Sequence, residues 1–211
     1  MSKLDIIIAV DPGVSGAVGV LIGDSGIVFD TPIIKTSSKV KGVIKYKTHY
    51  DLLGMVSLFK PFRDSNAILV LEDVSAMPGE GVTSSFNFGE GKGIWLGILS
   101  AIFEKSIVMV RASTWKKTFP EITDRPDIRK LKEESKALSA KYKVMKDNKK
   151  AKEIKKEISS IGRSVKYIAK SAARELAMTL FPDIKDKFVL KKHDGRAEAL
   201  LIATYARRNC K

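Results

Sequence analysis

The chain has 211 residues, 44% of them hydrophobic and 29% charged, which is enough to bury a core and too apolar for disorder. Lysine and arginine number 38 against 24 acids, and the resulting net charge of +14 points to a polyanionic partner, nucleic acid ahead of an anionic membrane surface. A single cysteine, Cys210, excludes an intramolecular disulfide and a cysteine-based zinc site, and the longest nearly unbroken apolar stretch, residues 94–103, falls far short of the roughly 20 residues of a membrane span.

Residues 6–10 are a continuous apolar run, β-branched at all but Ala9 and closed by Asp11-Pro12-Gly13, the pattern of a strand buried on both faces. Residues 16–22 and 26–29 read as two further strands joined at Gly23-Asp24-Ser25-Gly26, so the chain opens with an antiparallel three-strand meander. Tyr50, Leu52, Leu53, Val56 and Phe59 recur at helical spacing until Pro61 ends the pattern. A second buried strand, 67–71, ends at Glu72. After it come a glycine-rich loop over 78–93, an apolar helix over 94–103 and a short strand over 107–110. Strand, helix and strand in this order favour parallel pairing beside the meander. The expected fold is therefore α/β, a mixed five-stranded sheet flanked by helices in one domain.

Residues 125–165 have a different texture, with fourteen bases against six acids, over half of the chain's net charge. Leu131, Leu138, Tyr142 and Met145, then Ile154, Ile158 and Ile161, are spaced as two helices around Asp147-Asn148. This predicts a basic helical-hairpin insertion over about 122–165, either a solvated hairpin or an arm along nucleic-acid phosphates. An amphipathic helix over 165–181 follows, stopped by Pro182, and a last helix ends near Arg208.

The acids fall at telling places. Asp11 closes one buried strand and Glu72 another; if those strands are neighbours, two carboxylates meet at the carboxyl edge, where open sheets bind ligands. Asp194 and Glu198 lie four apart on one helix face, with Ala-Leu-Leu-Ile-Ala following Glu198 as a core-packing run. Four converging acids in a basic protein need a counter-charge. Magnesium or manganese, held by carboxylates, water and substrate phosphate, provides one, and two such ions per site suit phosphodiester hydrolysis.

These residues carry a resemblance. Asp11-Pro12-Gly13-Val14-Ser15-Gly16, Leu71-Glu72 and the run from Lys192-His193-Asp194-Gly195-Arg196 to Glu198-Ala199-Leu200-Leu201 are similar to the RuvC family of Holliday-junction resolvases, nearest to its bacteriophage and plant-organellar branch. Gly91-Lys92-Gly93-Ile94-Trp95-Leu96-Gly97, Thr114-Trp115-Lys116-Lys117 and Leu180-Phe181-Pro182 add to it. The resemblance implies an RNase H-like fold and a homodimer with two magnesium-dependent sites that nick a branched, four-way DNA junction in pairs. Asp11, Glu72 and Glu198 fall on invariant acidic positions of that family. Asp194 and His193 compete for the fourth position, Asp194 being favoured and His193 serving alternatively as a proton shuttle. Two departures stand out: the last helix spaces its acids four apart where bacterial members space theirs three apart, and the lysine-rich insertion is unusual for the family.

Around that set, Ser84, Ser85, Asn87, Lys92 and the amides of 89–93 are candidates for contacting DNA. Lys116, Lys117, Lys191, Lys192 and Arg196 are basic candidates of the same kind. Phe86 and Phe88 either stack on or wedge between bases at a branch point or pack the loop on the sheet, and Trp95 and Trp115 are expected in the core. Other readings are a flap or RNA–DNA hybrid nuclease of the same fold and a non-catalytic, DNA-architectural protein. A nucleotide cofactor is not expected, because the actin-like kinases that share Asp-x-Gly need two such domains. The opening residues show no cleavage site, which makes the expected location the cytoplasm of a bacterial or phage-infected cell, at the nucleoid, ahead of an organelle.

Overall fold

The computed structural model describes residues 6–75 and 81–210. Among the described residues, seven strands form two sheets. The larger contains β1 (Ile6–Asp11), β2 (Ala17–Ile22), β3 (Ser25–Asp30), β6 (Ile68–Glu72) and β7 (Ile107–Val110) in the order β3-β2-β1-β6-β7. The first three pair antiparallel, as the hairpin signal predicts, while β1–β6 and β6–β7 are parallel. The five-stranded mixed sheet flanked by helices is thus as expected.

The period of two along each strand divides the core into two layers. Ile7 and Ala9 of β1, with Val70 of β6, face a layer built by α7 (Asp194–Asn209), α3 (Ala112–Lys117), α4 (Pro120–Thr123) and the end of α6 (Asn148–Leu180). Ile8, Val10, Leu69 and Leu71 face the other layer, where α1 (Leu52–Leu58) and α2 (Val82–Phe103) bring Met55, Phe59, Trp95, Leu99 and Phe103. Trp95 and Trp115 are both fully buried, as expected.

Helix α7 lies hard against the sheet because two glycines allow it. A Cβ on Gly19 would stand 2.7 Å from the backbone of Ala199, and one on Gly195 would stand 2.6 Å from the carbonyl oxygen of Ser15. Real side chains do not approach that closely, so these two positions set how near α7 comes to β1 and β2.

Three elements differ from the expectation. First, residues 82–93 are helical. The glycine-rich loop is the first half of α2, and residues 78–80 of that reading lie outside the described residues. The amides of 89–93 are therefore inside a helix rather than presented by a loop. Gly91 is buried where a Cβ would stand 2.2 Å from the Tyr50 hydroxyl, so its packing outweighs the low helix propensity of glycine. Second, the arm is α5 (Pro126–Val144) followed by α6, with Asp147 capping α6 through the amides of Lys149 and Lys150. The two-helix reading holds, but α6 does not break near 165. It runs unbroken from the arm tip into the core, where Ala172, Ala173 and Ala177 are buried. Ile122, Ile128 and Ile161 are buried at the arm's base, so the projecting part starts later than residue 122. Third, β4 (Ile33–Val40) and β5 (Val43–Tyr50) form a separate two-stranded ribbon where no strand was expected, and its last residues, His49 and Tyr50, are extended where helical spacing placed the start of the following helix.

Candidate functional site

Asp11 follows Ala9 by two residues and Glu72 follows Val70 by two, so both carboxylates point to the α7 side of the sheet. Parallel pairing sets Val10 beside Leu71, which brings the two acids to neighbouring strand ends. Glu198, one turn into α7 and only 7% exposed, closes the group from above. All three line one cleft of about 1710 Å³. Its walls are the end of the β5 strand (Lys47 to Tyr50), the start of α2, the Arg111–Lys116 segment and the face of α6 bearing Lys166 and Lys170.

The electrostatics of this floor show why it is unusual. Burial, and then repulsion by Glu198 and Glu72, hold the Asp11 carboxyl well above its ordinary pKa. Burial also raises Glu72; its hydrogen bond from the Trp115 indole opposes this, Glu198 adds to it, and Lys116 and a bond with Asp11 oppose it again. Trp115 Nε1 donates to Glu72 Oε1 at 2.9 Å and so fixes that carboxylate's direction. Lys116 Nζ donates to Glu198 Oε1 at 2.7 Å. Burial opposes charge on this lysine, but the three carboxylates outweigh burial and its pKa is raised. A tethered ammonium thus already offsets part of the negative charge.

Asp194 sits apart from the three. It is paired with Arg174 and, at 3.2 Å, with Lys170, both from α6, and it does not line the cleft. His193 is buried with its Nδ1 accepting the Leu190 amide at 3.3 Å. Burial first, then Arg196 and Lys192, lower its pKa, and it too is away from the cleft. Neither Asp194 nor His193 lines the cleft that Asp11, Glu72 and Glu198 share. Ser84, Phe86, Asn87 and Phe88 line the cleft from the first turns of α2, with Phe86 70% exposed; Ser85 does not line it. Phe86 is therefore on the outside of the molecule rather than packed on the sheet. Lys92 binds Asp73, and Arg196 is held by Asp30 through contacts of 2.6 and 2.5 Å, so both are engaged within the protein. Lys117 and Lys192 are exposed outside the cleft, and Lys191 lies 4.8 Å from the Tyr167 ring centroid.

Asp11, Glu72 and Glu198 are hard oxygen donors suited to a divalent cation. Their mutual repulsion in a buried place is what such an ion relieves, so the residues fit it in donor chemistry and charge. Among the described residues, no group of three His, Cys, Asp or Glu side chains is arranged to hold an ion as placed; Lys116 stands at Glu198 instead. The sequence reading missed Trp115 as the orienting partner of Glu72. It also missed Lys170 and Arg174, whose i, i+4 spacing on an amphipathic helix was the available signal. Among the described residues, no helix is long and apolar enough to cross a membrane.

In comparisons with known proteins, no protein-family model matches the chain, and no curated protein is similar to it at a significant level.

Proposed function

We propose that this chain is a metal-dependent, structure-selective endonuclease of the RuvC type, with an RNase H-like fold, that cuts four-way DNA junctions as a homodimer. One observation carries the reading: Asp11, Glu72 and Glu198 reach a single buried floor from two adjacent parallel strands and a crossing helix, inside a cleft with basic walls. A floor so composed repels DNA phosphate unless cations intervene, while the walls attract it.

Asp11, Glu72 and Glu198 would hold two magnesium ions, or manganese in their place, which when bound supply an activated water and charge stabilisation at the leaving oxygen. Trp115 keeps Glu72 turned to the floor. Lys116 neutralises Glu198 and lies within the cleft, where a phosphate would meet it. Asp194 acts as a positioning residue: it holds Lys170 and Arg174 together beside the floor rather than joining the carboxylates. Phe86 and Phe88, at the exposed start of α2, are placed to stack on unpaired bases at a branch. Dimerisation fits the outer face of α2, where Gly93 and Gly97 leave open space while Trp95 and Leu99 face inward.

A non-catalytic junction-binding protein is the second reading, and the ion pair of Lys116 with Glu198 is what favours it. The deciding experiment incubates the protein with four-way junction, flap, RNA–DNA hybrid and linear duplex, each in magnesium and in EDTA. Paired nicks in the junction alone, lost in EDTA, support the resolvase. Preferential cutting of flap or hybrid moves the activity elsewhere in the same chemistry, and tight binding without cleavage in any divalent metal overturns the nuclease.

A further inference from the structure

Between β3 and α1 the chain leaves the body as the β4–β5 ribbon. Five lysines lie in it, Lys35, Lys39, Lys41, Lys45 and Lys47, and no acid occurs from Thr31 to Tyr50. Among the described residues, none of the five is in an ion pair. The register divides them between two faces. Lys35 pairs with Thr48, and Lys39 with Ile44, on one face; Lys47 pairs with Thr36, and Lys45 with Ser38, on the other. Lys41 sits at the tip, with φ of 49° at Lys41 and 82° at Gly42, the backbone of a tight two-residue hairpin turn.

We infer that the ribbon is a DNA-binding wing that enters the major groove of a duplex arm leading into the cleft. This rests on reading the cleft as a DNA site. A lysine-bearing strand pair that merely resisted edge-to-edge association would need no apolar side chains in water. Here Val43, Ile44 and Tyr46 are 62%, 59% and 75% exposed near the tip. A two-stranded ribbon fits the roughly 12 Å width of the B-form major groove, where lysines on opposite faces meet the two bordering phosphate strands and apolar side chains meet base edges. Strands of eight residues extend about 27 Å, more than two-thirds of a duplex turn. The ribbon's root is also part of the cleft wall, since Lys47, Thr48, His49 and Tyr50 line it together with Asp11. The groove of A-form RNA is too narrow for such a ribbon, which selects DNA.

The test measures binding of a labelled four-way junction by full-length protein in EDTA across a series of KCl concentrations. Each phosphate contact contributes about 0.9 to the slope of log affinity against log salt. The variant with Lys35, Lys39, Lys45 and Lys47 all changed to Gln should therefore lose about 3–4 from the slope. The Lys45→Gln, Lys47→Gln pair should lose about 2, and it serves if the fuller variant does not fold. Wild-type protein should also protect guanine N7 on a duplex arm from methylation, and the variants should not. An unchanged slope and unchanged protection in folded variants overturn the wing while leaving the cleft intact. Equally tight wild-type binding to a junction with RNA arms overturns groove entry. If wild-type protein binds no junction at all, the reading of the cleft falls, and the wing with it.

Discussion

The floor of the cleft and its walls are built on opposite principles. The floor is three carboxylates fixed by packing: Glu198 on a helix pressed to the sheet at Gly19 and Gly195, and Glu72 aimed by a buried indole. The walls include exposed lysines near solvent, Lys47 at the root of the ribbon and Lys166 on α6. The difference teaches where precision is concentrated. Changes at the floor should act singly and steeply, whereas changes at the walls should act in number and gently.

The comparison breaks most visibly at the floor. Glu198→Gln should reduce junction cleavage by at least 10²–10³-fold, the scale of losing one group that organises transition-state charge, with little change in junction affinity in EDTA. Single-turnover cleavage beside an anisotropy titration checks both halves. The scaffold under the floor comes next. Gly19→Ala should destabilise the fold by about 1–3 kcal/mol in urea denaturation, because its Cβ meets main chain that cannot yield cheaply. Trp115→Phe should lower cleavage by about 10–100-fold as a positioning defect. Because the indole's hydrogen bond lowers the Glu72 pKa, its removal should also move the acid limb of the pH–rate profile to higher pH, which loss of packing alone would not do. The smallest effects belong to the walls. One exposed wall lysine, such as Lys166→Gln, should change the salt slope by about 0.9 and cleavage at saturating protein not at all.

The floor also has a signature without substrate. Asp11 and Glu72 have folded-state pKa values above their unfolded ones, so the folded protein binds more protons in the window between. Their contribution is fully present below about pH 4 and is lost as pH rises through the raised values. Asp11→Asn, which cannot ionise, should therefore raise the melting temperature in EDTA at neutral pH, and the gain should vanish at low pH. A wild-type protein that gains stability through this window from these groups would contradict the floor's geometry.

What the residues alone reveal divides along the same line. The strands that carry Asp11 and Glu72 announce themselves as continuous apolar runs, because both of their faces are buried. Their adjacency follows from ordinary crossover rules. The ribbon was missed for the converse reason: both its faces are exposed, so no apolar side marks it, although Lys41-Gly42 between Val40 and Val43 is a turn signal in plain view. The start of α2 is masked by three glycines, Gly89, Gly91 and Gly93, whose helix cost, about 1 kcal/mol each, is overridden by the packing of Trp95, Leu99 and Phe103. Helical spacing alone groups Asp194 with Glu198. What separates them is α6, whose Lys170 and Arg174 are close only in three dimensions.

If Asp11, Glu72 and Glu198 form a cutting floor beneath a DNA-binding cleft, Asp11→Asn should disable cutting and spare binding. Wild-type and variant proteins would be compared on one four-way junction, with binding measured in EDTA and cleavage started with magnesium. Equal affinity with paired nicks from the wild type alone is the predicted result. Cleavage by the variant at the wild-type rate, or a junction left whole by both proteins in magnesium and in manganese, would contradict it.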